Sequence, residues 1–252
     1  PSKVKTMIVI PMAGMSSRFF KAGYTKPKYM LEAHGQTLFE HSVQSFQAYF
    51  STAPFLFIVK NVFDTPQFVR QKAQEMGITE FHISILEEDT RGQAETVTLG
   101  IEQLQSKGID HNGPITIFNI DTFRPDFLLP DVSTKSDGYL EVFKGEGANW
   151  SFAKPESEHT TRVIQTAEKN PISDLCSTGL YHFNHQKDFL DAYYQYLAKP
   201  VHDWEKGELY IAPLYNLLIE KGLDIHYHLI DRSDAIFCGV PDEYTDFLSK
   251  AK

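Results

Sequence analysis

The chain reads as an α/β fold of three layers, with a mostly parallel, mixed central sheet and helices on both of its faces. Two features of the sequence predict this. From Met7 to Ile120, short apolar runs alternate with stretches of helical periodicity. From about Tyr139, strand-like runs follow one another with no helix-length segment between them, as expected for antiparallel additions. The 252 residues are 42% hydrophobic and 23% charged, the balance of a globular chain that buries a sizeable core.

Each element has its own signal. Residues 7–10 are an apolar run that predicts a first strand, leading into a loop over residues 11–27. Phe39, Val43, Phe46 and Phe50 recur at the spacing of a helix with one buried face. A second strand at 55–59 is followed by a helix around 68–76, with Gly77 placed as its C-cap. Phe81–Leu86 is a third strand, and Ala94, Val97, Ile101 and Leu104 mark a helix closed by Gly108. Residues 115–120 give a fourth strand. The runs at 139–143, 150–154, 162–168 and 177–183 extend the sheet, helices return at 187–197 and 209–221, and 225–230 is the closing strand. No repeat, low-complexity tract or Pro/Gly/Ser linker divides the chain. Residues 1–252 are therefore expected to form one domain, whose later half completes a second pocket.

Composition excludes several classes of function. No apolar run approaches the roughly 18 residues of a membrane span, and the first ten residues are too short for a signal peptide, so a cytosolic protein is expected. Cys176 and Cys238 are expected as two free buried thiols. The ten histidines show no zinc-site spacing, and Glu87, Glu88 and Asp89 are expected to form a solvated turn. A net charge of −9 argues against general affinity for nucleic acid or an acidic membrane. The first 31 residues contain no acid, however, and carry Lys3, Lys5, Arg18, Lys21, Lys26 and Lys28. Within this stretch Ala13, Gly14, Ser16 and Ser17 are small enough to let backbone N–H groups approach an anion, while Arg18 and Lys28 add charge. Lys21 and Lys26 read as plain solvated charges. Neither the dinucleotide G-x-G-x-x-G pattern nor the P-loop ending in Gly-Lys-Ser/Thr is present, which disfavours a dehydrogenase or an ATPase.

The strand followed by Pro11-Met-Ala-Gly14-Met-Ser16-Ser17-Arg18, and then Pro27-Lys28, resembles the signature of the sugar-phosphate nucleotidylyltransferases and the related cytidylyltransferases of the GT-A-like fold. The family's loop is richer in glycine than this one, which has Met15 and Ser16. The resemblance continues in order. Thr90-Arg-Gly92-Gln93-Ala94 looks like the segment that contacts the base, and the run from Ile115 to Asp121 like the strand ending in a metal-binding aspartate. Glu168-Lys169-Asn-Pro171 is similar to the stretch that meets the sugar and its phosphate. Ser177-Thr178-Gly179-Leu-Tyr181 and Gly207-Glu208-Leu-Tyr210-Ile211 resemble two later family segments. One departure is clear: where many members place a second metal-binding Asp, this chain has Phe237, and Asp234 is the nearest substitute by reach.

The resemblance implies transfer of a nucleoside monophosphate from a nucleoside triphosphate to a sugar phosphate or similar phosphorylated acceptor, with release of pyrophosphate. It implies Mg2+ as cofactor on Asp121, with Asp234 the candidate substitute by reach for the second metal ligand, and Arg18 and Lys28 as catalytic cations. Ala13, Gly14, Ser16, Ser17, Gly92 and Gln93 would bind the nucleotide, and Glu168, Lys169 and Gly179 the acceptor. The product would serve a capsule or another surface polysaccharide. Two other readings compete. A GT-A glycosyltransferase would consume a nucleotide sugar, although Asp121-Thr-Phe123 lacks the second acid of an Asp-x-Asp motif. A catalytically inactive relative would bind nucleotide without turnover. The base, the acceptor and the oligomeric state are not readable from these residues.

Overall fold

The structure, a computed structural model, describes residues 5–250; Lys3 of the basic stretch and the first four residues of the signal-peptide reading lie outside them. Its centre is a nine-stranded mixed sheet. In order across the sheet run Val163–Glu168, Ser151–Pro155, Leu175–Phe183, Ile115–Ile117, Met7–Met12, Phe55–Lys60 and Phe81–Leu86. Gly138–Lys144 pairs with the other edge of Leu175–Phe183, and Ile225–Leu229 lies beyond it. The four strands from Ile115–Ile117 to Phe81–Leu86 are parallel. Leu175–Phe183 runs against Ile115–Ile117 and Gly138–Lys144, and Val163–Glu168 runs against Ser151–Pro155.

Alternation along the strands builds the two helical layers. Because successive side chains leave a strand on opposite faces, Met7 and Val9 enter one core and Ile8, Ile10 and Met12 the other. Leu56 and Ile58 divide from Phe55, Phe57 and Val59 in the same way. The first core is covered by the helices Gln93–Ser106, Gln186–Leu197 and Leu214–Glu220, and the second by Leu38–Val43 and Thr65–Met76. Both faces of these central strands are thus apolar, as a parallel sheet covered on both sides requires. Cys176 and Cys238 are buried and free.

Three elements differ from their sequence signals. The strand expected over 115–120 ends at Ile117, and the chain turns away over the next four residues. Ser42, fully buried, donates its hydroxyl to the Asn119 carbonyl at 3.1 Å and to the Thr122 carbonyl at 2.8 Å, which holds that turn. The helix expected from Leu209 begins at Leu214. Leu209 spends its N–H and C=O on Arg91 and Ala94, and Pro213, which has no N–H to lose, stands at the helix start. The helix through Phe39 and Phe50 is Leu38–Val43 continued by the 3-10 segment Gln44–Tyr49, with non-helical torsions at Phe46.

Parallel strands finish on one edge, so the loops after Met12, Leu86 and Ile117 converge there. Beneath that edge the Arg124 guanidinium grips the buried Glu141 carboxylate, with Nε at 2.7 Å and Nη2 at 3.1 Å, and Thr178 Oγ1 donates to the same carboxylate at 2.9 Å. Glu141→Ala would strand the Arg124 charge. It is expected to cost about 3–5 kcal/mol, read as a lower denaturant midpoint with an unchanged slope.

Candidate active site

Two clefts open at the carboxyl edge of the parallel strands. The first, about 470 Å³, is walled by Ala13 and Gly14 of the loop after the first strand, by Lys28, by Gly92 at the start of a long helix, and by Glu208. The second, about 590 Å³, is walled by Arg18, Trp150, Glu168, Lys169, Gly179 and Phe237. Gln93, Asn119 and Asp121 border both. The two volumes therefore adjoin at three polar side chains, an arrangement suited to passing a group from an occupant of one cleft to an occupant of the other.

Local structure places each group. Ser16 takes a left-handed conformation, and its Oγ accepts the Lys28 N–H at 3.1 Å, tying the loop to the Pro27-Lys28 segment. Lys28 opens the short 3-10 turn Lys28–Met30 and extends its ammonium to Asp121 Oδ2 at 2.9 Å. Gly92 has φ +152, and a Cβ there would collide with the Leu209 carbonyl. Its absence lets Ala94 N–H bond the Leu209 carbonyl at 2.9 Å and Leu209 N–H bond the Arg91 carbonyl at 2.8 Å. The amino end of the helix Gln93–Ser106 is thereby fixed at the border of both clefts, with its unpaired N–H groups and positive dipole end favouring an anion.

In the second cleft Glu168 is almost fully buried and accepts a hydrogen bond from Ser151 Oγ at 2.6 Å. Burial pushes its carboxyl pKa up, against the opposing effects of that hydrogen bond and of Lys169. Lys169 donates to Tyr210 Oη at 2.9 Å, which raises its own pKa, and Tyr210 donates in turn to Glu208 at 2.6 Å. Tyr181 is strand packing first, buried with its hydroxyl donated to Ser151 Oγ at 3.0 Å, and it also borders this cleft. Phe237 lies with its ring 5.0 Å from Trp150 and 5.7 Å from Phe143, while the Arg232 guanidinium stacks 4.6 Å from its centroid. This wall is aromatic where a second carboxylate was sought.

Most sequence-derived candidates gather here. Ala13, Gly14, Lys28, Gly92, Gln93 and Asp121 border the first cleft, and Arg18, Glu168, Lys169 and Gly179 the second. Arg18, in the first turn of the helix Ser17–Lys21, therefore borders the second volume and not the first. Ser17 is exposed at the start of the helix Ser17–Lys21 and borders neither cleft. Asp234 is not brought to Asp121. It ends the 3-10 turn Arg232–Asp234, where its carboxylate caps the Asp231 N–H at 3.3 Å, and it borders a separate surface cleft with Arg124 and Lys144. Asp89 is more than part of a solvated turn: it pairs with Lys60 and borders the first cleft. Sequence reasoning missed Asn119, although its place two residues before Asp121 at a strand end was a usable signal.

A magnesium ion fits what is present. Asp121 offers a carboxylate at the meeting point of both clefts, and Mg2+ is commonly held by one or two carboxylates together with substrate phosphates and water. Among the described residues no group of three or more His, Cys, Asp or Glu side chains forms an all-protein metal cage.

Neither a family model nor a curated protein sequence matches this chain. Among solved structures it is similar to a nucleoside-diphosphate-sugar pyrophosphorylase from Vibrio cholerae RC9, at 72% identity and TM-score 0.95 over 97% of this chain and all of that one. At the level of fold it is similar to the inositol-1-phosphate CTP transferase from T. maritima, at 13% identity and TM-score 0.70 over 99% and 96% of the two chains. A UTP-bound UGPase from Acinetobacter baumannii gives 13% identity and TM-score 0.70 over 96% and 92%.

The buried Glu168 sets a pH dependence. A carboxyl whose folded pKa is raised contributes stability while it is protonated, and that contribution is lost as pH rises from the ordinary carboxylate range through the raised value. Glu168→Gln should therefore match the parent in unfolding temperature at low pH and exceed it increasingly as the solution is brought to neutrality, measured by a pH series of thermal melts.

Proposed function

The chain belongs to the sugar-phosphate nucleotidylyltransferases, and from that premise we propose how its two clefts divide the reaction. The enzyme transfers a nucleoside monophosphate from a nucleoside triphosphate to a sugar phosphate and releases pyrophosphate. The first cleft takes the triphosphate and the second takes the acceptor. The observation that carries this division is the shared border at Gln93, Asn119 and Asp121, which brings an acceptor in the second volume up against a phosphate in the first.

A phosphate oxygen of the acceptor attacks the α-phosphorus. The new P–O bond forms as the bond from the α-phosphorus to the bridging oxygen breaks, and the electron pair leaves with pyrophosphate. Both reactants are anions, so the barrier is lowered mainly by holding them in line and neutralising charge. Lys28, already aimed at the junction, supplies a cation to the α-phosphate, and the amino end of the helix Gln93–Ser106 adds N–H donors. Arg18 and Lys169 face the acceptor phosphate. Bound Mg2+ would supply charge neutralisation on the phosphates, with Asp121 as its protein ligand. Glu168, fixed by Ser151, accepts a hydrogen bond from the body of the acceptor.

A cytoplasmic location is part of this reading, supported by substrates that are small phosphorylated metabolites. No described helix is long and apolar enough to cross a membrane. The motif resemblance supports use of the product in a capsule or similar surface polysaccharide.

Incubation with Mg2+, each nucleoside triphosphate and a panel of sugar phosphates is expected to yield pyrophosphate with at least one pair. Release of a nucleoside diphosphate from nucleotide sugars instead would assign the chain to glycosyl transfer. Lys28→Ala should lower kcat by about 100- to 1,000-fold while leaving the melting profile close to the parent's, checked by initial rates alongside thermal denaturation.

A further inference from the structure

We infer that Asn119 is a further catalytic residue, whose side-chain amide donates a hydrogen bond to the phosphoryl group as it passes between the clefts. This deepens the function proposed above and rests on it. Three observations converge. Among the described residues Asn119 is one of three bordering both volumes, the others being Gln93 and Asp121. Its Oδ1 is already engaged, accepting from Gln93 Nε2 at 2.5 Å. Its Nδ2 makes no hydrogen bond among the described residues, so both amide hydrogens remain available.

The surroundings fix this orientation. The Asn119 carbonyl is held by the buried Ser42 hydroxyl at 3.1 Å and by the Thr122 N–H at 3.4 Å, so the side chain leaves a rigid turn. Nδ2 lies over Gly179, in the space that any side chain at that position would fill. Gly179 has φ +96 and coincides with the irregularity in pairing between Ser177 and Tyr181, so the bend in the longest strand is what makes room for the amide. The asparagine is therefore a donor with its acceptor oxygen tied back, set beside the carboxylate of Asp121 and the ammonium of Lys28.

Charge at the junction explains why a neutral donor serves there. A carboxylate in place of Asn119 would stand next to Asp121 and repel both phosphates. A second cation would compete with Lys28 for Asp121. An amide adds attraction for a phosphoryl oxygen without disturbing that pair, and because it is already oriented it needs no reorganisation as charge moves toward the leaving group. Asn119 transfers no proton and forms no bond to phosphorus.

The test uses Asn119→Asp, which keeps an oxygen for Gln93 while removing the donor, and Asn119→Ala, which removes both. Steady-state rates are measured with the nucleoside triphosphate and sugar phosphate that the parent enzyme turns over fastest. Triphosphate affinity is measured separately by calorimetry without acceptor, and folding by thermal melts. The expected result is a fall in kcat of about 100-fold in both variants, with triphosphate affinity in Asn119→Ala within about threefold of the parent. A kcat within about threefold of the parent in either folded variant would overturn the assignment. So would a loss of kcat in Asn119→Ala matched by an equal loss of its triphosphate affinity, or melting of both variants far below the parent, since either marks a structural or binding role. A parent enzyme that releases no pyrophosphate with any substrate pair refutes the proposed function and this inference with it, whereas an active parent with unimpaired variants refutes the inference alone.

Discussion

Lys28 and Asp121 meet at 2.9 Å across the junction of two loops, one following the first strand and the other following the strand Ile115–Ile117. Each is a liability to the reaction without the other. A triphosphate approaching a bare carboxylate is repelled, and an ammonium that can reach a phosphate collapses onto any acid nearby. Placed together, they leave the junction close to neutral until an anion or a hard cation arrives. The ammonium can then turn to phosphate while the carboxylate turns to the cation. The first 31 residues contain no acid that could capture Lys28 first. The excess of negative charge lies elsewhere in the chain, so the charge asymmetry of the sequence and the geometry of the site are one constraint seen at two scales.

Phe237 sets the electrostatics of one wall of the second cleft. A carboxylate there would give the second cleft another anion to be neutralised. The aromatic ring instead packs against Trp150 and Phe143, and the Arg232 guanidinium stacks on both phenylalanine rings. This leaves Asp121 as the acidic group common to both clefts among the described residues. It also makes part of that cleft's wall an apolar surface, of the kind that covers ring C–H groups and excludes water.

The parts of the fold legible in the sequence were those set by local periodicity. Alternate residues of the central strands enter opposite cores, so runs such as 55–59 had to be apolar throughout, and these strands could be read one after another along the chain, though not their order across the sheet. What could not be read was set by contacts distant in sequence. Leu209 looks like the start of a helix until Arg91 and Ala94 claim its backbone groups. Residues 118–120 look like continued strand until the Ser42 hydroxyl takes the carbonyl of Asn119. The same limit applied to the site. The small-residue, acid-free basic loop pointed to Lys28, and the ordered resemblance to family segments to Asp121, Gly92 and Glu168. Asp234 was chosen by reach along the chain, which says nothing about the turn that directs its carboxylate back onto Asp231. Asn119 has no charge and no motif glycine; its place two residues before Asp121 was a weak signal, and the two clefts that share it make it plain.

The segment 208–211 shows why motifs far apart in the chain keep their mutual order. Glu208 borders the first cleft, Tyr210 and Ile211 border the second, and Leu209 between them is buried and hydrogen-bonded on both sides to the segment that opens the helix Gln93–Ser106. Side chains two apart in an extended chain point the same way, so Glu208 and Tyr210 meet, and the Tyr210 hydroxyl joins Glu208 to Lys169. One short strap thus fixes Gly92 and Gln93 at the helix start relative to Glu168 and Lys169 in the second cleft. An in-line attack tolerates little misplacement between two separately bound molecules. A strap that measures the distance between their clefts through backbone hydrogen bonds, and not through flexible side chains alone, is the physical reason that a leucine with no chemistry of its own sits at the centre of the motif.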